Sequence, residues 1–357
     1  MSQPTDPLAV VPASLVEVWR GAIVESRHRG HLTAVDGKGN TIAALGAPET
    51  VTYVRSSAKP FQAVPVIVSG AADRFGFTEQ EIAIACGSHS GEPIHVNTVR
   101  SMLDKIGLDE NALKCGVHEP FSAEVARELA RAGQPPNVLQ NNCSGKHTAM
   151  LALALHVGAP TGSYDDWSNP VQQAIAKTVA EFSDVPVDQI AIGTDGCGVP
   201  VFGISVHAMA LMYARLASPP DSFDTAARDA CKRIVKAMIN YPEMVGGTKN
   251  RLDTELIKAV EGRLISKIGA EGVYTVSVLP CTEWPNGLGL ALKIEDGDDN
   301  RARPPAVIEA LRQLHVLSEK ELTALVAYAP TVITNRRGER VGEARAAFTL
   351  EIKRNGR

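Results

Sequence analysis

The chain has 357 residues, 44% of them hydrophobic, and a formal net charge of −4. That length and apolar content suffice for a sizeable buried core, in one large domain or two intimate ones. Lys and Arg are spread along the chain without a basic patch, which argues against nucleic acid, and the longest strongly apolar run, around Met150 to Val157, is far too short to span a membrane.

The first fifteen residues have neither a basic segment nor a continuous apolar stretch, so no signal peptide is expected. Residues 1–14 are expected to be a flexible N-terminus and 15–357 a single catalytic domain, mainly helical from about 57 to 245. Residues 15–26 and 31–36 read as strands. Gly37-Lys38-Gly39-Asn40 reads as a turn and 41–45 as a third run, so the chain opens as an antiparallel hairpin. Residues 59–68, 93–106, 123–132, 146–156, 170–182, 201–216 and 222–239 carry apolar residues at helical spacing. The breaks fall at Gln134-Pro135-Pro136, Ala159-Pro160 and Ser218-Pro219-Pro220. Strands return at 264–268, 273–279 and 288–295. A charged loop at 296–304, short helices at 306–314 and 319–325 and a final strand at 346–352 follow. Strands from both ends can share one antiparallel sheet with the central helices packed beside it, an α+β arrangement.

Five segments carry chemistry. In Arg55-Ser56-Ser57-Ala58-Lys59-Pro60-Phe61-Gln62, a lysine three residues after Ser56 shares a helix face with it. A desolvated amine there can accept the serine proton, and Pro60 suits a first helical turn. The plainer alternative is a serine N-cap beside a solvated lysine. Cys86-Gly87-Ser88-His89-Ser90-Gly91-Glu92 reads as a tight turn presenting Ser88 to a cleft, or as a cap in which Ser90 starts the helix near Pro93. Asn141-Asn142-Cys143-Ser144-Gly145-Lys146-His147 packs a thiol, an amine and an imidazole in front of an Ala/Leu-rich helix, where free N–H groups can hold a carboxylate. In Gly193-Thr194-Asp195-Gly196-Cys197-Gly198-Val199-Pro200, glycines permit close backbone approach, and Cys197 could join Cys143 on a borderline-soft ion such as zinc. Lys267, in Lys267-Ile268-Gly269-Ala270-Glu271-Gly272, ends a strand as a second amine or as an edge lysine that discourages aggregation. The remaining cysteines, Cys86, Cys115, Cys231 and Cys281, read as small buried hydrophobes. Their irregular spacing is no disulfide framework, and a reducing cytoplasm is the expected setting.

Together, and in this order, the five segments resemble the rhizobial-type L-asparaginases, over roughly residues 15 to 352. The resemblance implies a fold like that of serine β-lactamases and serine-type glutaminases, and two serine–lysine pairs, Ser56 with Lys59 and Ser88 with Lys267. It also implies zinc on Cys143, Lys146 and Cys197, substrate contacts from Arg55, His147 and Asp195, and a homodimer. The expected activity is hydrolysis of L-asparagine, with Ser56 the first choice of nucleophile. Two alternatives stand beside it: a β-lactamase or penicillin-binding-like hydrolase, for which no Lys-Thr-Gly plus Ser-Asp-Asn set is found, and a non-enzymatic zinc or redox-sensing protein.

Overall fold

The computed structural model describes residues 11–353. Among the described residues eleven strands form two antiparallel sheets: β1 (Ala13–Arg20), β2 (Ile23–Asp36), β3 (Thr41–Leu45), β4 (Val51–Tyr53), β5 (Ala191–Thr194), β6 (Pro200–Ser205), β7 (Leu264–Ile268), β8 (Val273–Val278), β9 (Leu288–Ile294), β10 (Thr331–Thr334) and β11 (Arg340–Ala346). The main sheet has eight strands in the order β10-β11-β1-β2-β9-β8-β7, with β3 paired to β2. The small one runs β4-β6-β5. Strands from both chain ends therefore share the main sheet, as expected.

Strand alternation splits the core in two. Leu288, Leu290, Leu292 and Ile294 of β9 point to one face, with Tyr274, Val276 and Val278 of β8. There they meet the helices Leu252–Ala259 and Arg303–Gln313. Val273, Ile265 and Ala291 point to the other face, against the large central helical layer. The sheet is thus sandwiched between helices rather than covered on one side. On β7 the same period of two puts Lys267 on the face of Ile265, toward the central helices.

Several boundaries differ from the sequence reading. The expected strand 15–26 is a hairpin turning at Gly21, and the strand at 31–36 is the far half of the long β2. Ala13 and Ser14 already belong to β1, while residues 1–10 lie outside the described residues. Residues 201–216 divide into β6 and a helix, Val206–Ala217, which Ser205 caps through Ala208 N. The last strand lies at Arg340–Ala346, not at 346–352. Among the described residues no helix is long and apolar enough to cross a membrane.

Candidate active site

Helix Lys59–Val68 follows directly on a 3-10 turn, Arg55–Ala58, so Lys59 begins the helix with its side chain in the core at 1% exposure. Its Nζ donates to Gly87 O at 2.7 Å, Ser88 Oγ at 2.9 Å and Asn142 O at 3.1 Å. All three ammonium protons therefore have acceptors. Lys267 reaches the same hydroxyl from the sheet, with Nζ 2.9 Å from Ser88 Oγ and 3.0 Å from Ile268 O. Ser88 sits between two helices. Glu79–Ala85, capped by Thr78, ends before it, and Pro93–Ile106 begins after it on Glu92. Ser90 is not the cap of that second helix. Its hydroxyl instead donates to Gly246 O and accepts from Arg251.

Lys59 thus bonds Ser88 rather than Ser56. Burial lowers the pKa of Lys59, the Cys143 thiol opposes that shift, and Lys146 adds to it. Lys267 is held well below the ordinary lysine range, first by burial, with Asp253 opposing and Lys59 and Arg251 reinforcing. Two ammonium groups on one dry acceptor also repel each other, so the pair favours a neutral amine.

The small sheet assembles the second half of the site. β4 and β5 both pair with β6, so Arg55, two residues beyond β4, meets Asp195, one residue beyond β5. Arg55 Nε donates to Asp195 Oδ1 at 2.8 Å. Arg55 also holds φ at +53°, a left-handed conformation that costs a non-glycine residue energy and that recurs at functional sites. The turn between β5 and β6 closes through Gly198, at φ +89°, and carries Cys197 beneath Asp195.

Cys197 Sγ accepts from Lys146 Nζ at 3.0 Å and donates to Asp195 Oδ2 at 3.9 Å, and its thiol interacts with that of Cys143. One proton is more easily lost than the other. The bond from Cys197 pulls the Cys143 thiol well down, with the Lys146 and Lys59 charges helping, while Cys197 is pushed up. The thiols drive the Lys146 amine upward against its own burial. Among the described residues no three His, Cys, Asp or Glu side chains gather as a metal-binding group. An ion here depends on the lysine amine as well as the two thiols. Two thiolates and one nitrogen are donors of the kind zinc takes, and Lys146 would have to give up its proton to serve as the nitrogen.

Arg55, Ser56, Lys59, Gln62, Lys146 and Asp195 line a narrow crevice. Arg55, Ser56 and Asp195 form its half-exposed rim, and the other three lie at its buried floor. It has no interior room for a water molecule. Gln62 Oε1 is buried there without a hydrogen-bond partner. His147 stands apart. It is fully buried, its Nδ1 lies 2.7 Å from Tyr164 OH, and its Nε2 is unpartnered. Burial holds its imidazole neutral.

Sequence reasoning did not find Arg251 or Asp253. Neither sits in a recognisable motif, and only the glycine pair Gly246-Gly247 ahead of them hinted at close backbone packing. Arg251 Nη2 donates to Ser88 O at 2.8 Å, and Asp253 is buried with neither carboxylate oxygen hydrogen-bonded.

The sequence model of the family described as L-asparaginase II matches residues 16–346. No curated protein matches the chain. Among solved structures, a probable glutaminase from Bacillus subtilis complexed with 6-diazo-5-oxo-L-norleucine is 13% identical, with a TM-score of 0.37, over 80% of this chain and 84% of that one. A β-lactamase from Burkholderia ambifaria is 14% identical, with a TM-score of 0.38, over 80% of this chain and 92% of that one.

Proposed function

The chain belongs to the L-asparaginase II family, and from that premise we propose that it hydrolyses L-asparagine to L-aspartate and ammonia through an acyl-enzyme on Ser56. Membership makes it an amidohydrolase for amides of the asparagine–glutamine type. The observation that carries the finer reading is Ser88 Oγ, 2.9 Å from each of two buried lysine amines, behind a crevice that Ser56 and Lys59 line together.

Ser56 is the hydroxyl a substrate can reach, because Ser88 is only 2% exposed. Ser56 Oγ attacks the side-chain carboxamide carbon, and a neutral Lys59 takes its proton. Ser88 shuttles a proton between Lys59 and Lys267, so the pair can return the serine proton to the amide nitrogen, whose bond to carbon then breaks as ammonia leaves. An aspartyl ester remains on Ser56. Water, deprotonated by the same pair, attacks the ester, and aspartate leaves as Ser56 recovers its proton.

Arg55 and Asp195 bond each other across the mouth of the tight crevice. Substrate parts them, its α-carboxylate taking Arg55 and its α-ammonium Asp195, with Gln62 Oε1 as a second acceptor. Lys59, once it holds the serine proton, favours the negative charge that develops on the amide oxygen. An added methylene moves the amide carbon away from Ser56 in so short a crevice, so asparagine is preferred over glutamine. His147 acts indirectly, fixing the start of its helix through Tyr164. Cys143, Lys146 and Cys197 would hold zinc, which supplies a Lewis acid able to fix an electron-pair donor of the substrate. The expected setting is a cytoplasmic homodimer, and light scattering on the purified protein reads the oligomeric state.

The deciding experiment incubates purified protein with L-asparagine, L-glutamine and nitrocefin. Ammonia from asparagine, far less from glutamine and no nitrocefin cleavage is the expected pattern. Nitrocefin turnover without ammonia would make it a β-lactamase-like hydrolase. Inertness toward all three, with zinc bound, would make it a metal or redox protein. Elemental analysis of chelator-free protein tests the metal: near one zinc per chain is expected, as for a single site, and loss of that zinc in Cys143→Ser. Metal-free protein that takes up no added zinc would remove the site.

A further inference from the structure

Ser88 must lie within hydrogen-bond reach of two amines that arrive from different layers, Lys59 from a helix and Lys267 from the sheet. The turn that carries it is fastened from a third direction. Ser88 N donates to Val245 O at 2.8 Å, and Ser90 Oγ donates to Gly246 O at 3.0 Å. A Cβ on Gly87 would overlap Met244 O, so the two segments touch backbone to backbone. Over this contact lies Arg251, its side chain 14% exposed. Nη2 donates to Ser88 O at 2.8 Å. Nη1 donates to Ser90 Oγ at 2.8 Å and to Gly246 O at 3.0 Å. Arg251 precedes the helix Leu252–Ala259, which packs beside β7, and Ser266 Oγ of β7 donates to Asp253 O. One planar fork therefore ties the Ser88 turn to the element that flanks the Lys267 strand.

We propose that Arg251 is the positioning residue for Ser88, setting the turn at the depth where Ser88 Oγ meets both Lys59 and Lys267. The proposal rests on the reading that Ser88 works between the two lysines. Arg251 bonds the backbone carbonyl of the catalytic turn and acts through Ser88 alone. Asp253, 4.0 Å away and without hydrogen bonds to its carboxylate, keeps the guanidinium charge compensated in this buried place. Positioning of this kind is rate-sensitive, since a misplacement of about 1 Å can cost on the order of a hundredfold.

The test compares Arg251→Lys, Arg251→Ala and Ser90→Ala with the parent protein on L-asparagine. Arg251→Lys keeps the charge but cannot serve three acceptors in one plane. Its kcat should fall on the order of ten- to a hundredfold with a much smaller change in KM. Arg251→Ala should fall further and regain activity on addition of guanidinium, which refills the vacated fork. Ser90→Ala removes one arm only. It should lose less, and the Arg251→Lys/Ser90→Ala double variant should lose less than the sum of the singles. Circular dichroism and thermal melting separate misfolding from mispositioning in each variant. Folded Arg251→Lys and Arg251→Ala proteins with kcat within about twofold of the parent would overturn the proposal. So would a loss fully accounted for by the unfolded fraction, with no response to guanidinium. A parent inactive on asparagine would instead refute the catalytic reading, so the two failures are told apart.

Discussion

Ser88 accepts from two amines while Ser56 waits at the crevice rim, so the two serines should fail differently when removed. Ser56→Ala leaves nothing to carry the ester. Ser88→Ala leaves the nucleophile but breaks the path between Lys59 and Lys267. Both should lower kcat on the order of a thousandfold or more. Only the Ser88→Ala protein, quenched in acid after mixing with asparagine, should show an aspartyl mass on the Ser56 peptide, and an adduct on Ser88 in the Ser56→Ala protein would reverse the roles. Gln62 offers a second test at this scale. Its carbonyl oxygen is buried in the crevice without a hydrogen-bond partner, an acceptor left for the substrate ammonium. Gln62→Leu should therefore cut kcat/KM for asparagine about tenfold, the worth of one hydrogen bond to a charged group. It should leave succinamate, which lacks the α-amino group, nearly untouched. Equal losses on both substrates would show that Gln62 does not read the ammonium.

At the level of elements, sequence period and capping carried much of the fold. Helices 59–68, 93–106 and 123–132 end where the sequence reading put them, because each has clean apolar spacing and a Gly, Ser or Pro boundary. β6 was hidden inside an expected helix. Val201-Phe202-Gly203-Ile204 is buried on both faces, and a short continuous apolar run has no period to distinguish strand from helix. That miss concealed the small sheet, and with it the reason Arg55 finds Asp195. The five segments of the site were legible because reactive residues crowd them. The pairing of Lys59 with Ser88 was not, because a lysine's reach depends on which loop folds over it. Packing between elements gives a prediction of its own. A Cβ on Gly289 of β9 would run into Ala210 O and Ala214 N of the helix Val206–Ala217, so this glycine permits helix and sheet to dock. Gly289→Ala should destabilise the protein by about 3 kcal/mol, the upper range for overpacking. Urea unfolding measures it, and an unchanged midpoint would show that the helix can shift at little cost.

For the whole molecule, the site is a place where stability is given up. Lys267 titrates lower in the folded protein than in the unfolded chain, so below the usual lysine value of about 10.4 the unfolded chain binds the extra proton more tightly. The lysine therefore costs stability at neutral pH, and the cost shrinks as pH rises through the window between its lowered value and the ordinary one. Lys267→Met should be inactive yet melt a few degrees above the parent at about pH 7, with the gap closing toward about pH 10. Arg251 remains beside Asp253 in that variant to balance its charge. A lower melting temperature at neutral pH would mean that the amine's hydrogen bonds outweigh its desolvation. The strand order has a different consequence, one that concerns synthesis. β1 lies between β2, made immediately after it, and β11, which is not made until residues 340–346 emerge. Until then the outer edge of β1 has no partner, and an open edge recruits other strands. A chain released before β11 would hold every side chain of the candidate site and still offer that edge to a second copy, so loss of the last strand should be read out as aggregation before it is read out as lost chemistry.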